Sequence, residues 1–267
     1  MSFVKTFRQL HAGTKPLLLP NAWDAGSARL FESAGATAIA TTSGGVAWAL
    51  GYRDGGVLPI YELVSTVAHI ARVVTVPLSV DIENGYSDDP KVVAENVMRL
   101  AYLGIAGINI EDGEDEPTLL ADKVDAIRKA TARAGVDLFV NVRSDVFLRR
   151  LVPPFELVGE SIARGNLYAE AGADGLFLPG LRQSEHIRSV VNDVSLPLNL
   201  MVWPELADAD ELGKLGVRRL SAGTSIAQVA WGTAERLARD FLKNGGSAPM
   251  YEGFVPYAQI QELFEAD

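Results

Sequence analysis

The sequence contains no cysteine, and this absence excludes several classes of chemistry. Without a thiol, the chain has no disulfide framework, no cysteine-based zinc site, no iron–sulfur cluster and no catalytic thiol. Basic residues are also few, since 24 Lys and Arg stand against 34 Asp and Glu, which gives a formal net charge of -10. We therefore expect no nucleic-acid partner, because phosphate contacts need clustered Lys and Arg.

Long apolar runs and targeting signals are missing as well. The N-terminal segment lacks the apolar core of a secretory signal, and no run of about 18 apolar residues is available to cross a bilayer. We therefore expect a cytoplasmic protein with no membrane partner.

The sequence does contain eight short runs rich in β-branched residues, which alternate with longer helical patterns. The predicted strands are Leu17–Pro20, Thr37–Thr41, Val76–Asp81, Gly107–Glu111, Asp137–Val142, Gly175–Leu178, Leu196–Leu200 and Val217–Leu220. The predicted helices are Ala25–Ala34, Pro59–Val73, Pro90–Leu103, Leu119–Ala134, Phe155–Ala171, Gln183–Asn192, Glu205–Leu215 and Ser225–Leu242. Glycine follows several of these helices, Gly135 and Gly172 among them, as expected where a helix ends in the left-handed conformation.

Eight strand–helix units within 267 residues predict a parallel sheet closed into a single (β/α)8 TIM barrel of the α/β class. A doubly wound open sheet is the alternative. Such sheets usually carry a glycine-rich phosphate loop after the first strand, whereas the chain reads Pro20-Asn21-Ala22-Trp23-Asp24 there. No linker divides the sequence, so we predict one domain over residues 1–267, with 244–267 as a C-terminal tail or helix.

Acidic residues gather where the predicted strands end, which is the face that carries the active site in such barrels. Asp81 and Glu83 lie two residues apart and should point to the same side, and Glu111 follows the neighbouring strand. Carboxylates confined together repel one another unless a cation joins them. Oxygen-only ligands suit Mg²⁺ or Mn²⁺, so we predict a metal site; a solvated acidic rim is the alternative.

Other strand ends carry groups that could bind a carboxylate. Ser43-Gly44-Gly45 offers a hydroxyl and unobstructed N–H groups, although such sequences are also common in loops. Arg143 could bind a substrate carboxylate through two parallel N–H groups of its guanidinium. The alternative is that Arg143 forms a surface ion pair with Asp145. Asn199 is a further candidate for substrate binding.

Several polar residues at these positions are more simply explained as structural. The candidate helix caps are Asp24, Asp145 and Ser221. The histidines share no common spacing, so we expect each to be structural or exposed: His11, His69 and His186.

Taken together, the strand-end motifs resemble those of the isocitrate lyase / phosphoenolpyruvate mutase superfamily. The resemblance rests on Pro20-Asn21-Ala22-Trp23-Asp24, Thr42-Ser43-Gly44-Gly45, Gly51-Tyr52-Arg53-Asp54, Val80-Asp81-Ile82-Glu83-Asn84-Gly85-Tyr86, Ile108-Asn109-Ile110-Glu111-Asp112 and Asn141-Val142-Arg143-Ser144-Asp145. These segments cover the first half of the chain in order and spacing, while the second half matches more loosely.

The resemblance implies a barrel that usually forms a tetramer in which the last helix is exchanged between neighbouring subunits. It also implies a Mg²⁺-dependent enzyme for 2-oxo or 2-hydroxy carboxylates. Asp81 matches the direct metal ligand of the superfamily. The other acids match carboxylates that hold metal-bound waters: Asp54, Glu83 and Glu111.

The resemblance extends to substrate binding and to the type of reaction. The loop Ser43-Gly44-Gly45 matches the segment that holds the carboxylate and oxygen of the substrate, and Arg143 matches a substrate-binding arginine. The implied chemistry breaks a C–C or P–C bond next to a metal-stabilised oxyanion, with an enolate of pyruvate as the shared intermediate. No covalent intermediate and no organic cofactor is required.

The chain departs from the superfamily pattern at the positions that select the reaction. Isocitrate and 2-methylisocitrate lyases use a cysteine in their gating loop, which this sequence cannot supply. After Glu111 the chain reads Asp112-Gly113-Glu114-Asp115-Glu116-Pro117-Thr118, short and acidic where the mutases carry Lys. Pro179-Gly180 stands where the lyases have a glutamate.

We therefore predict a Mg²⁺-dependent lyase that cleaves a C–C bond of a small 2-oxo or 2-hydroxy (di)carboxylate and acts as a homo-oligomer, a tetramer or a dimer. P–C chemistry of the phosphonomutase or phosphonopyruvate hydrolase kind is one alternative. A non-catalytic oxo-acid-binding protein is another, although a decayed site has no reason to keep mutually repelling acids.

Overall fold

The computed structural model describes residues 2–265, and every strand in that range belongs to one parallel sheet. The strands are β1 (Leu17–Leu19), β2 (Asn21–Ala22), β3 (Ile39–Thr41), β4 (Leu78–Asp81), β5 (Gly107–Glu111), β6 (Phe139–Arg143), β7 (Gly175–Phe177), β8 (Leu198–Met201) and β9 (Val217–Ser221). The helices are α1 (Phe3–His11), α2 (Ala25–Ser33), α3 (Ser43–Ala49), α4 (Ile60–Val73), α5 (Pro90–Ala101), α6 (Pro117–Ala134), α7 (Val146–Arg149), α8 (Leu157–Glu170), α9 (Ser184–Asp193), α10 (Ala209–Lys214), α11 (Ser225–Asn244) and α12 (Tyr257–Glu262), with a 3-10 helix at Ala248–Tyr251. Met1 and the last two residues of the predicted tail, 266 and 267, lie outside the described range.

The strands form a ring whose only break is a single proline. The order is β1-β9-β8-β7-β6-β5-β4-β3-β2, so that β1 pairs with β9 at one end of the sheet while β2 pairs with β3 at the other. Pro20 separates β1 from β2 and has no N–H to give to a strand ladder. β1 and β2 are therefore two halves of one strand that closes the sheet, which confirms the predicted TIM barrel.

The helix ends follow the signals in the sequence. Asp24 caps α2 through a reciprocal pair of bonds, because its Oδ1 accepts the N–H of Ser27 at 2.7 Å while the Ser27 hydroxyl accepts the N–H of Asp24 at 3.1 Å. Pro90 is the first residue of α5, where a missing N–H has no cost. Gly135 ends α6 with φ of 66°, in the left-handed region that favours glycine.

Two short helices were not expected from the sequence. α3 begins at Ser43, in the segment predicted as a loop, and α7 follows directly after Asp145. They have seven and four residues, which is too short for an apolar period to be recognised. Their positions matter because both begin at the carboxyl ends of strands.

Helix α1 closes the opposite, amino-terminal end of the barrel. Phe7 is fully buried and packs with residues at the start of the strands, including Leu17 and Phe139. Its ring meets that of Phe139 edge-on with 5.3 Å between centroids, and His11 stacks on Phe139 at 4.4 Å. This aromatic group accounts for His11 as a structural histidine, as predicted.

Burial gives His11 a measurable influence on stability. Burial, reinforced by the positive charge of Arg219, lowers the pKa of His11 from 6.5 to about 4. The unfolded chain therefore takes up a proton below about pH 6.5 that the folded chain refuses until about pH 4, so stability falls as the pH falls through that window.

We expect His11→Phe to remove this pH dependence. Phenylalanine keeps the ring against Phe139 but cannot titrate. Between about pH 7.5 and about pH 5, the wild type should lose about 2 kcal/mol more unfolding free energy than the variant, measured by urea titration. Equal losses in the two proteins would mean that His11 titrates normally in the fold.

The last long helix leaves the barrel instead of packing along it. Ala227 is the only buried residue of α11, while Val229 and Leu242 are 70% and 82% exposed. On the outer face of β1, Leu18 is 55% exposed at a position that a barrel normally covers with a helix. The segment beyond α11 returns to the body, where the Nε of Arg29 donates to the carbonyl of Leu263 at 2.7 Å.

Among the helices of residues 2–265, none combines the length and the apolar character that crossing a bilayer takes.

Candidate active site

Asp81 lies at the carboxyl end of β4, on the mouth of the barrel. Its Oδ2 accepts the N–H of Ser43 at 3.3 Å, and its Oδ1 accepts the N–H of Glu83 at 3.2 Å. The N–H of Asp81 itself donates to Oγ1 of Thr41 at 2.8 Å. The strand end and both neighbouring loops therefore fix the direction of this carboxylate.

Glu83 is held in an unusual backbone conformation. Its φ is 50°, in the left-handed region that costs a residue with a side chain about 1 kcal/mol or more. The residue as a whole is 4% exposed, and its carboxylate accepts the hydroxyl of Tyr86 at 3.1 Å together with the N–H of Gly56. Such strain persists only where the surroundings enforce it, and here it aims a buried acid toward Asp81.

Asp54 approaches the same place from the loop between α3 and α4. A Cβ on Gly44 would lie 3.2 Å from Oδ2 of Asp54 and 3.0 Å from Cγ2 of Thr224. Glycine at position 44 therefore lets the Asp54 carboxylate come close to the start of α3. The negative charge of Asp54 contributes to the raised pKa values of Asp81 and Glu83, which places the three acids in one electrostatic group.

Arg143 is the cation of this mouth. Its Nη1 lies 2.7 Å from Oε2 of Glu111, and its Nε and Nη2 hold the two oxygens of Asp145 at 2.6 and 3.0 Å. The ring of Phe177 lies 6.0 Å from the guanidinium. The predicted ion pair with Asp145 does form, but Asp145 is fully buried, so it is not a pair on the surface.

The acids of the mouth resist ionising together. Burial raises the pKa of Asp81 and that of Glu83, and the nearby carboxylates add to the effect. Burial also raises the pKa of Glu111 to about 8, against the opposing charge of Arg143. A divalent cation would relieve this repulsion, because it is the one partner that favours the charged form of every carboxylate at once.

The donor set fits a cation that has one direct protein ligand. Among residues 2–265, no three acidic or histidine side chains lie close enough to chelate one ion directly. Mg²⁺ commonly keeps several of its waters and takes only one or two carboxylates. Asp81 as the ligand, with three carboxylates around it to accept hydrogen bonds from water, is therefore compatible with the geometry.

The three predicted residues at the start of α3 form its first turn. The N–H of Ser43 is already used by Asp81. Within residues 2–265, the N–H groups of Gly44 and Gly45 have no hydrogen-bond partner, as expected for the second and third positions of a helix. A Cβ on Gly45 would clash with Cγ2 of Thr42 at 2.7 Å, so the turn depends on glycine.

Asn199 lies deeper inside the barrel than the acids. Its Oδ1 accepts the Nδ2 of Asn141 at 3.0 Å, and its Nδ2 donates to the carbonyl of Leu200 at 2.7 Å and to Oγ of Ser221 at 3.1 Å. Its amide is thus engaged with the protein, and substrate binding by Asn199 stays a prediction. Ser221 ends β9 and bonds within this network, so the expectation that it caps a helix is wrong.

Asp145 likewise has a different role from the predicted cap. It occupies the N-cap position of α7 but makes no capping hydrogen bond. Its carboxylate binds Arg143 and also accepts the Nε of Arg149 at 2.8 Å. The carboxylate of Asp145 is thus bound by two guanidinium groups and not by the N–H groups of the first turn of α7.

A buried hydrogen-bond network around Asp112, behind the site, was not predicted from the sequence. Asp112 accepts the N–H of Asp145 at 2.9 Å, the Nη1 of Arg164 at 2.9 Å and the hydroxyl of Tyr168 at 2.7 Å. These bonds tie the end of β5 to the end of β6 and so hold Glu111 and Arg143 in register. The only signal was an aspartate directly after Glu111, which composition alone does not distinguish from a loop residue.

Arg219 was missed as well. It is fully buried in the barrel, where its Nη2 donates to Oδ1 of Asn109 at 3.1 Å and its Nε to Oγ of Ser221 at 3.2 Å. Burial lowers its pKa to about 9. An arginine in the middle of the predicted strand Val217–Leu220 was the available signal, since a charge there must face either water or a polar interior.

Comparison with known proteins decides the family. The family model described as phosphoenolpyruvate phosphomutase matches residues 7–242. The chain belongs to the phosphoenolpyruvate phosphomutase family. A Mycobacterium tuberculosis protein without an assigned activity is 36% identical over 96% of this chain and 95% of its own length.

Two further relatives of this phosphoenolpyruvate phosphomutase family member carry descriptions. A crystal structure of a candidate phosphonomutase from Burkholderia cenocepacia J2315 is 39% identical, covers 88% of this chain and 98% of its own, and superposes with a TM-score of 0.84. Oxaloacetate decarboxylase of Pseudomonas fluorescens is 30% identical and covers 82% of this chain and 78% of its own. Solved structures of the phosphoenolpyruvate mutase/isocitrate lyase superfamily share the fold.

These relationships confirm the superfamily that the strand-end motifs indicated. They also confirm that the protein is an enzyme, because the related proteins are lyases and mutases.

Proposed function

We propose that this enzyme is a lyase that breaks a C–C bond of a small 2-oxo or 2-hydroxy carboxylate with the help of a divalent cation. One observation carries the proposal: the carboxylate of Asp81 lies among three further acids at the barrel mouth, opposite the guanidinium of Arg143. Repelling acids of this kind are costly to keep together and serve no packing purpose.

The cation of the proposal is Mg²⁺, with Mn²⁺ as a substitute. Asp81 would hold it directly, and its waters would bond to the surrounding carboxylates of Asp54, Glu83 and Glu111. When bound, the cation supplies positive charge that stabilises negative charge on the substrate oxygen.

Arg143 can position a substrate carboxylate without giving up its present partners. A guanidinium has five N–H groups, and the contacts to Glu111 and Asp145 use three of them. Two N–H groups remain for the substrate. Across the mouth, the N–H groups of Gly44 and Gly45, which have no partner within residues 2–265, would donate to a second oxygen.

For oxaloacetate, the reaction would proceed through the enolate of pyruvate. The bond between C3 and C4 breaks, its electron pair forms the C2=C3 double bond, and the carbonyl pair moves onto the C2 oxygen as CO2 leaves. A proton from solvent then adds to C3 to give pyruvate. The Gly44 and Gly45 N–H groups would stabilise the oxyanion, and one such donor can contribute about 3 kcal/mol.

Charge near the site favours C–C over P–C cleavage. The segment after Glu111 places Glu114 at the mouth, where it pairs with Arg149 at 3.0 Å. Asp112 behind it is occupied by Arg164. Because both arginines are already paired with carboxylates, this segment offers no unpaired cation to a phosphonate, which carries more negative charge than a carboxylate.

The test is release of pyruvate from 2-oxo and 2-hydroxy diacids, with oxaloacetate first because a related enzyme is an oxaloacetate decarboxylase. We expect turnover that disappears after chelation with EDTA and returns with Mg²⁺. Because free metal ions also decarboxylate oxaloacetate, the blank must contain Asp81→Asn protein at the same metal concentration.

Pyruvate itself separates an enzyme from a binding protein. In D2O with Mg²⁺, we expect the methyl protons of pyruvate to exchange in the presence of the protein, followed by NMR. Saturable binding without exchange and without turnover of any diacid would support the oxo-acid-binding alternative and overturn the lyase.

We further propose that α11 packs on a second copy of the chain. Its apolar residues are exposed, and Leu18 lies uncovered in a groove of about 500 Å³ that also includes Leu10 and Phe31. We expect an oligomer by light scattering and its dissociation by Leu18→Glu, whereas Tyr102→Glu at the end of α5 should leave the mass unchanged. A monomeric wild type would contradict this assembly.

A further inference from the structure

A second cavity opens on the same face of the barrel, beside the acid site. Its volume is about 440 Å³, within the range of pockets that hold small molecules. It is formed by the segments that follow β6, β7 and β8, and the residues that matter are Phe147, Arg150, Arg182, His186 and Trp203. None of the four acids lines it, and neither does Arg143.

The cavity is cationic in an acidic protein. Arg150 and Arg182 line it beside His186, and none of its lining residues within 2–265 is acidic. Among residues 2–265, neither guanidinium lies within 4.0 Å of an acidic oxygen. By contrast, the neighbouring Arg149 and Arg164 are each ion-paired.

Flat apolar surfaces stand beside these charges. The Trp203 side chain is 37% exposed, and the Arg182 guanidinium lies 6.0 Å from the centre of its ring. On the other side of the cavity, the rings of Phe147 and His186 lie 6.2 Å apart. A planar ligand would find an aromatic wall within reach of two guanidinium groups.

The backbone of one of the two arginines has an unusual conformation. Arg150 ends α7 with φ of 54°, a left-handed conformation that costs a residue with a side chain about 1 kcal/mol or more. Leu151 holds it there by donating its N–H to the carbonyl of Val146 at 3.2 Å. A left-handed residue commonly ends a helix, and here it ends α7 at the edge of the cavity.

The amino-terminal end of α9 adds to the positive potential. α9 has ten residues and begins at Ser184, so that His186 lies in its first turn and faces the cavity. The N–H groups of a first turn have no partner within the helix and favour an anion nearby.

We propose that this cavity binds a small organic anion in which a carboxylate or phosphate is attached to a planar ring. Arg150 and Arg182 bind the anionic group, while the ring lies against Trp203. The site is separate from the acid cluster and needs no divalent cation, so it does not depend on the proposed lyase reaction.

The experiment is calorimetric titration of the full-length protein with phenyl phosphate, benzoate and inorganic phosphate, each with Mg²⁺ and again with EDTA. We expect saturable binding of at least one aromatic anion in both buffers. Binding that requires Mg²⁺ would belong to the acid site and would overturn the proposal. Preference for phenyl phosphate or for benzoate identifies the anionic group.

Variants assign the binding to the cavity. Arg150→Met and Arg182→Met should each raise the Kd of the aromatic anion about tenfold, because each variant loses one charged contact. Arg236→Met, on exposed α11, should leave the Kd unchanged. Trp203→Leu should abolish the preference for phenyl phosphate over inorganic phosphate. No saturable binding up to about 10 mM, or equal binding by the double variant Arg150→Met/Arg182→Met, would overturn the proposal.

Discussion

Replacing Asp81 by Asn should lower the rate of pyruvate release by about a thousandfold or more, because the proposed cation loses its only direct ligand. The side chain keeps its shape, but its single amide oxygen can accept only one of the two N–H groups, that of Ser43 or that of Glu83, which bond to different oxygens of Asp81. Burial works against the charge of Asp81, so removing that charge should offset much of the loss of one hydrogen bond, and the unfolding free energy should change by about 1 kcal/mol or less.

Three measurements check this result together. They are kcat/KM for the diacid that the wild type turns over, Mn²⁺ affinity by electron paramagnetic resonance, and urea unfolding. Asp88→Asn is the matched control, since Asp88 follows the same strand but its side chain is 84% exposed. Wild-type turnover and Mn²⁺ affinity in Asp81→Asn would remove Asp81 from the site.

Replacing Arg143 by Met should lower the unfolding free energy by about 3 to 5 kcal/mol, the usual loss when one partner of a buried ion pair is removed. Glu111 would keep its raised pKa without a counter-charge, and Asp145 would retain only Arg149. Activity should also disappear, since no other guanidinium within residues 2–265 contacts Glu111.

A double-mutant cycle separates charge from packing in this prediction. Adding Glu111→Gln to Arg143→Met removes the carboxylate that is left unpaired, so the double variant should recover part of the lost stability. Urea denaturation of the four proteins gives the coupling energy. A single-variant loss below about 1 kcal/mol, or additive losses, would mean that solvent already screens the pair.

Much of the fold could be predicted because the apolar periodicity of the helices and strands agrees with the Pro, Gly and capping residues at their ends. β5 spans the predicted range Gly107–Glu111, and α2 begins at the predicted cap Asp24. The acids followed from the same reasoning, since the carboxyl ends of parallel strands meet at one mouth. Asp54 was the exception, because no strand ends near it, and only the resemblance to the superfamily indicated it.

The parts that could not be predicted depend on contacts between distant segments. α3 is too short to have a period, and its first turn is stabilised by the Asp81 carboxylate, 38 residues away. Arg164 and Tyr168 appear as ordinary polar and aromatic positions of a helix until their shared partner Asp112 is known. The direction in which α11 leaves the barrel has no local signal at all.

The side chain of Asn21 joins the two edges of the sheet that meet at the break at Pro20. Beside this break, the amide of Asn21 accepts the N–H of Gly223 at 2.8 Å and donates to the carbonyl of Thr41 at 2.8 Å. Asn21 thereby connects the loop that precedes α11 to the end of β3, just before Ser43. Thr224, next in that loop, touches the space over Gly44. A displacement of α11 would therefore reach the acidic mouth of the barrel through Asn21 and through the contact of Thr224 with α3.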